Sequence, residues 1–415
     1  MGMRFWRLLQ PLLATAILFS LCFAVQAQST SAWTIQNIGR GPNGTVASIV
    51  LDSHGFPRIA YTSAYDQYED GSMTLLCDLQ YASWNGSAWN IQDIGFQGHS
   101  AGSHVVLDSS DNPHFCYSYG TFDGKESLEY AKVTGVNWRS QRIDSACSDG
   151  YIALDSNDNP HVSYSKNKSL NYASLLSSNW DIQTIDTGAL FTYYHSSIAM
   201  DSNNFPRILY GDAVETNGGA YISSGNVKYI SWNGSKWSIQ TILTNVTAFS
   251  NIALDSHDYP SFAYVDNSSL KYAYWDGSGW KFEDVFSHVT DECFLCLDKN
   301  NSPYISSYDR DEGLIYAKET GTHWNVQTVI NSTANMAGPI ALDTKGNPHI
   351  AYSSFDHGSI YYAEIKYATR LGSTTFQFSS QQVWITLLVI VVIVLLFSIV
   401  IFYRRKRATG SKQVI

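Results

Sequence analysis

The chain has 415 residues, with 36 acidic against 26 basic side chains and a net charge of −10. That balance argues against nucleic acid and anionic lipid headgroups as partners, because both need a basic surface. Six cysteines in this length exclude a disulfide scaffold, which is short and Cys-dense.

Arg4 and Arg7 precede an apolar stretch from Leu8 to Val25, and Val25-Gln26-Ala27 follows. A basic start, a short apolar run and small residues predict a secretory signal peptide over residues 1–27. A retained N-terminal anchor is the alternative, and Gln10-Pro11 within the apolar run argues against it. Cys22 leaves with the signal, so Cys77, Cys116, Cys147, Cys293 and Cys296 remain. Cys293-x-x-Cys296 has the spacing of a redox or metal pair. On a strand its side chains point to opposite faces, and no second pair completes a zinc site.

Residues 28–365 are built from a repeat whose clearest copy is Ile152–Tyr164, IALDSNDNPHVSY. An apolar run ends in Asp, four variable residues lead to Pro, and a second apolar run follows. The Asp positions are 52, 108, 155, 201, 255, 298 and 343, each with Pro five residues on, in steps of 56, 47, 46, 54, 43 and 45. Repeats of this length made of short strands predict a seven-bladed β-propeller with four strands per blade.

Strand one is the I-A-L-D run, small at its middle where strands crowd an axis. Strand two follows the Pro. Strand three is L-x-Y-A, as in Leu79-Gln80-Tyr81-Ala82, and strand four is W-x-I-Q. Asn85-Gly86, Asn233-Gly234 and Asp276-Gly277 read as tight turns between strands three and four. The Trp residues that open strand four, among them Trp89, Trp180 and Trp237, suit the wide outer gap between wedge-shaped blades.

Asp155-x-Asn157-x-Asn159 looks like the opening of a calcium loop. The other copies place Lys345, Phe56, Phe205 and Tyr259 at ligand positions, so the Asp is read as the cap of the turn from strand one to strand two. No cofactor or metal is expected.

The seventh repeat supplies strands one to three, the third read as Ile360-Tyr361-Tyr362-Ala363, and lacks a W-x-I-Q block. The missing block is Trp33-Thr34-Ile35-Gln36 at the other end of the domain. The N-terminal strand is therefore expected to close the ring and remove two exposed sheet edges.

Loops from strand two to three and from strand four to the next strand one share one face. They vary in length, with insertions over Tyr61–Leu79 and Tyr210–Val227, whereas the turns of the other face are short and uniform. Binding usually lives on variable loops carried by a rigid scaffold. Candidate ligand residues are the near-axis acids Asp212, Asp266 and Asp309, together with Asp356, Tyr193 and Tyr194. Acid plus Tyr suits a glycan, a cation or a basic protein surface. Taken singly, each acid also reads as a solvated loop charge.

Sequons at Asn43, Asn85, Asn167, Asn233, Asn245, Asn267, Asn300 and Asn331 fit an exported glycoprotein. Residues 366–383 read as a Ser/Thr/Gln-rich stalk. Trp384–Tyr403 is 20 residues without a charge, long enough to span a bilayer core. Arg404-Arg405-Lys406-Arg407 follows at once, so residues 404–415 form a cytoplasmic tail and the propeller faces outward at the cell membrane. None of the 36 acids lies in the signal or tail, and the body between them holds only 19 of the basic residues.

The Asp-…-Pro-His-x-x-Tyr and Leu-x-Tyr-Ala pattern over Trp33–Ala363 resembles the repeats of uncharacterised archaeal and bacterial cell-surface propeller proteins. These are loosely grouped with sialidase-like repeats, although the Asp-box, Ser-x-Asp-x-Gly-x-x-Trp, is absent here. The resemblance implies a propeller and carries no catalytic residue onto this chain. A sialidase-type glycosidase needs an Arg cluster on the ligand face, and Arg58 and Arg207, directly after Pro, belong to the opposite face. An inverting glycosidase needs only two suitably placed carboxylates, which the acidic loops offer. The expectation is a membrane-anchored recognition or adhesion module. A glycan-acting hydrolase and a structural envelope protein are the alternatives.

Overall fold

The computed structural model describes residues 33–42, 48–69, 72–98, 103–120, 126–134, 137–187, 196–213, 225–321, 323–332, 336–355 and 362–370. Trp33–Arg370 is one compact unit. The expected signal peptide and the expected span at 384–403 lie outside the described residues, among which no helix is long and apolar enough to cross a membrane.

The strands of the described residues form seven antiparallel sheets, one per repeat, as the spacing predicted. Blade 3 shows the plan: Ser148–Leu154, Pro160–Lys166, Ser169–Ser174 and Asp181–Thr187 lie across the sheet in chain order. In blade 5 the first strand is broken into Ala248–Phe249 and Ala253–Leu254. The Ser250 hydroxyl fills the gap and accepts the Ala263 N–H at 2.8 Å. First strands of successive blades lie side by side, and that of blade 7 returns to that of blade 1.

Blade 7 is composite. Its order is Thr34–Pro42, Tyr362–Thr369, Pro348–Phe355, Ile340–Leu342. Thr34 faces Thr369 and Pro42 faces Tyr362, so the N-terminal strand closes the ring as expected.

Three details differ from the sequence reading. The third strand of blade 7 runs to Thr369, past the boundary at 365. Its copy of L-x-Y-A is Ile365-Lys366-Tyr367-Ala368, because His349 pairs with Thr369 just as His161 pairs with Ser174 in blade 3. Two Tyr-Ala steps five residues apart compete in the sequence, and register selects the second. The insertion over Tyr61–Leu79 is not a loop but a long hairpin, since the ladder continues through Glu69 and Ser72.

The core is divided among the junctions. Seven apolar clusters of the described residues sit one at each blade-to-blade junction. Second strands are buried on both faces, as in Pro160–Tyr164, while fourth strands are mostly exposed. At every junction the Tyr of L-x-Y meets the strand-four Trp of the next blade edge to face. Centroids are 5.3 to 5.9 Å apart and planes cross at 67 to 78°. Tyr316–Trp33 and Tyr367–Trp89 complete the set through the N-terminal strand. Such pairs add about 1 kcal/mol each beyond their buried area. Trp89 Nε1 also donates to Gln36 at 2.6 Å, and Trp237 to Gln183 at 3.3 Å, so the repeated Gln adds a bond at these two junctions.

Cys293 packs into the junction of blades 5 and 6, and Cys296 against that of blades 6 and 7, so the two do face opposite ways. Among the described residues Cys147, Cys293 and Cys296 are free thiols.

Candidate functional site

The face that carries the one-to-two turns is spent on building the ring. In blade 3, Asp155 Oδ1 accepts the N–H of Asn157 at 2.8 Å and of Asn159 at 2.9 Å. The same two bonds recur in all seven copies. These aspartates cap turns, as the sequence indicated.

The second carboxylate oxygen takes different partners in different blades, among them His257 at 3.6 Å in blade 5 and the Tyr304 hydroxyl at 3.5 Å in blade 6. In blades 1 and 4 it meets an arginine: Arg58 lies 2.5 Å from Asp52 and donates to the Trp84 carbonyl at 2.7 Å, and Arg207 bridges Asp201 and the Trp232 carbonyl. In blades 2, 3 and 7 it faces His114, His161 and His349 Nε2 at 3.5, 3.6 and 3.9 Å. The other ring nitrogen of each shares a hydrogen bond with Tyr130, Tyr172 or Tyr367 at 2.5 to 2.6 Å. Burial pushes the three imidazoles below the usual histidine range, against the pull of the aspartates. Burial also opposes charge on Asp108, Asp155 and Asp343. Hydrogen bonds from Asn112, Asn159 and Asn347 nevertheless hold them below the usual carboxylate range.

Residue three past the Asp takes a left-handed conformation in every copy. It is Gly in blades 1 and 7 and Asp or Asn elsewhere. Where it is Asp or Asn it clasps the preceding blade. Ser109 donates to Asp158 from N at 2.9 Å and from Oγ at 2.6 Å. Ser53 does the same with Asp111, and Ser202 with Asp258. Ser156–Asn204 and Ser256–Asn301 are the amide versions. The sequence held this signal as a Ser one past each Asp in repeats one to five, matched by an Asx three past it in repeats two to six.

The opposite, loop-bearing face carries charges of both signs. Asp144, at the end of blade 2, is bound by blade 3 through Lys166 Nζ at 2.5 Å and the Tyr164 hydroxyl at 2.8 Å. Asp186, at the end of blade 3, is bound by blade 4 through Lys228 at 3.1 Å and the Tyr210 hydroxyl. Lys228 also lies 2.9 Å from Asp212, and Lys271 lies 3.1 Å from Asp266. Burial works against charge on Asp144 and Asp186, but these hydrogen bonds hold both below the usual carboxylate range. Burial likewise works against Lys228, and Asp212 and Asp186 together keep it above the ordinary lysine value.

Asp212 and Asp266 are thus halves of ion pairs. Asp309 is 2 % exposed and caps its own turn, accepting the N–H groups of Asp311 at 2.8 Å and Glu312 at 2.6 Å. Asp356, Tyr193 and Tyr194 lie outside the described residues, as does Asn43. The described sequon asparagines are all exposed, and Asn85 and Asn233 stand at hairpin tips where each Oδ1 caps its own turn. Counting acids missed Lys166, Lys228 and Lys271. The signal was present, because Lys228 and Lys271 occupy the variable position of L-x-Y.

A pair of neighbouring carboxylates, Glu319 and Glu283, occurs elsewhere. Burial, and then the neighbouring Glu283, raises Glu319 above the usual carboxylate range. Trp324 Nε1 donates to Glu283 at 3.3 Å; Glu283 lies on the fourth strand of blade 5 and Glu319 ends the third strand of blade 6, away from the loop-face ion pairs. Among the described residues no group of three or more His, Cys, Asp or Glu could hold a metal ion.

No protein-family model and no curated protein matches this sequence. Solved structures resemble it in fold. The β-propeller domain of the Trilobed protease from Pyrococcus furiosus, with open velcro topology, superposes with a TM-score of 0.50 at 7 % identity. The match covers 81 % of this chain and 97 % of that one. YCF48 from Cyanidioschyzon merolae gives 0.48 at 11 % identity over 82 % and 98 % of the chains. The SapL1 lectin, solved with alpha methyl fucoside, gives 0.46 at 16 % identity over 70 % and 96 %. These likenesses concern the propeller alone.

Proposed function

We propose that the protein is a cell-surface recognition module that binds a glycan on the loop-bearing face. The observation that carries this reading is the contrast between the two faces. The turn face spends its aspartates, arginines and histidines on ring construction. The loop face presents paired donors and acceptors, Lys166–Asp144, Lys228–Asp186–Asp212 and Lys271–Asp266, on the rims of successive blades. Lys166, Lys228 and Lys271 keep 25, 19 and 27 % of their side-chain surface exposed. Alternating fixed donors and acceptors suit the hydroxyls of a sugar better than they suit one ion. In this reading residues 384–403 anchor the chain in the cell membrane, and the propeller is displayed outside on a stalk that begins after Arg370.

The test is a glycan array probed with the Trp33–Arg370 unit, with and without calcium. Binding to a defined glycan set is expected, and the combined variant Lys166→Met, Lys228→Met, Lys271→Met is expected to lose it. The double variant Asp212→Ala, Asp266→Ala is expected to lose it as well. Binding that survived both sets would remove the site from this face. Turnover of a bound glycan would favour the hydrolase instead.

A further inference from the structure

The Ser–Asx clasps are not distributed evenly around the ring. They bridge blades 1 to 2, 2 to 3, 3 to 4, 4 to 5 and 5 to 6. At the next two junctions the chemistry forbids them. The residue three past the Asp is Gly346 in blade 7 and Gly55 in blade 1, and neither has a side chain to accept the bond. The residue one past the Asp in blade 6 is Lys299 rather than Ser.

Near the axis the pattern repeats in part. In blades 1, 4 and 5 the residue four before the Asp hydrogen-bonds the first strand of the next blade, whereas in blades 2 and 3 it is His104 and Tyr151, whose rings pack on each other. Ser48 accepts the Val105 N–H at 3.2 Å, Ser197 accepts the Ile252 N–H at 3.0 Å, and Asn251 pairs with both backbone groups of Leu295 at 2.9 and 3.0 Å. The same position is Phe294 in blade 6 and Pro339 in blade 7, whose side chains make no hydrogen bond. One inner bond survives beside blade 7, from Ser306 Oγ to the Gly338 carbonyl at 2.6 Å.

The blade flanked by these two weak junctions is the composite one. It is also where both chain ends leave the propeller, since Trp33 opens its fourth strand and Arg370 follows its third. Its contacts with blade 1 include apolar packing and the Trp89–Gln36 bond, and on the other side Arg370 donates to Gln327 of blade 6. Gly39 and Gly41 let the N-terminal strand come close, because a Cβ there would stand 2.5 Å from the Tyr61 hydroxyl and 2.4 Å from the Thr62 carbonyl.

We propose that blade 7 is a built-in opening point: it separates from blades 6 and 1 as a unit while the clasped blades stay folded, and a pull on either chain end acts on it first. Local opening of this kind follows from uneven stability within one fold. The inference does not depend on what the loop face binds.

Hydrogen exchange of the full chain in detergent micelles, read by mass spectrometry, tests it. Peptides from 33–42, 340–352 and 362–369 should exchange about tenfold faster than the matching peptides of blades 3 and 4. Installing the missing clasps should remove the difference. Gly55→Asn supplies an acceptor for Thr344, and Lys299→Ser with Gly346→Asn supplies the other. There is room, because a Cβ at Gly55 lies 3.5 Å from its nearest neighbour and one at Gly346 lies 3.7 Å away. The left-handed backbone is one that Asn204 and Asn301 already adopt. The reverse change, Ser156→Ala with Asn204→Gly, should speed exchange in blades 3 and 4. The proposal is overturned if blade 7 exchanges no faster than blades 3 and 4. It is overturned equally if folded clasp-bearing chains keep the fast exchange, or if the reverse change leaves blades 3 and 4 untouched.

Discussion

Asp155 shows how much one side chain can hold. Its carboxylate satisfies two backbone N–H groups and the Asn159 amide, and it faces His161. Alanine there leaves buried donors without acceptors, and about 2 kcal/mol of stability should be lost in urea unfolding. His104 is the corresponding acid-sensitive point. Its ring lies 4.7 Å from that of Tyr151, its Nδ1 is buried without a partner, and burial pushes its pKa from 6.5 down to about 4. A depressed histidine means that the unfolded chain binds protons the folded chain refuses. Stability should therefore be fully present above pH 6.5 and fall progressively towards about 4, with His114, His161 and His349 adding in the same direction. Melting temperature measured across that window should slope down with acid, and His104→Gln should flatten part of the slope. An unchanged slope in the variant would refute the assignment.

At the scale of the strand, Trp33–Pro42 carries more than its length suggests. It supplies an edge of blade 7, the Trp33–Tyr316 contact, and Gln36 for Trp89. Deleting Trp33–Ile38 should lower the melting temperature sharply and expose the edge of Tyr362–Thr369; a deletion that melts with the wild type contradicts ring closure. This strand was legible in the sequence because a W-x-I-Q block was missing at one end of the domain and present at the other. The turn-capping aspartates were legible because seven copies could be compared and non-ligand residues filled the calcium positions. The third strand of blade 7 was misread because Tyr362-Ala363 and Tyr367-Ala368 match the pattern equally, and only cross-strand register separates them. The lysines that neutralise the loop-face acids escaped because they belong to neighbouring blades or strands, a proximity that one-dimensional spacing does not express.

The molecule as a whole divides its labour by face. One side repeats the same turn seven times and welds most blades together. The other varies in length and carries ion pairs half open to solvent. If that division is right, damage on the two sides should be separable. Lys228→Met removes a loop-face cation, and Ser202→Ala removes half of a turn-face clasp with Asp258. The direct measurement is titration of a glycan selected on the array into each variant, with its melting curve recorded alongside. Lys228→Met should lose binding with little change in melting, and Ser202→Ala should keep binding and melt earlier. Full affinity in Lys228→Met, or loss of affinity in a folded Ser202→Ala, would contradict the division by face.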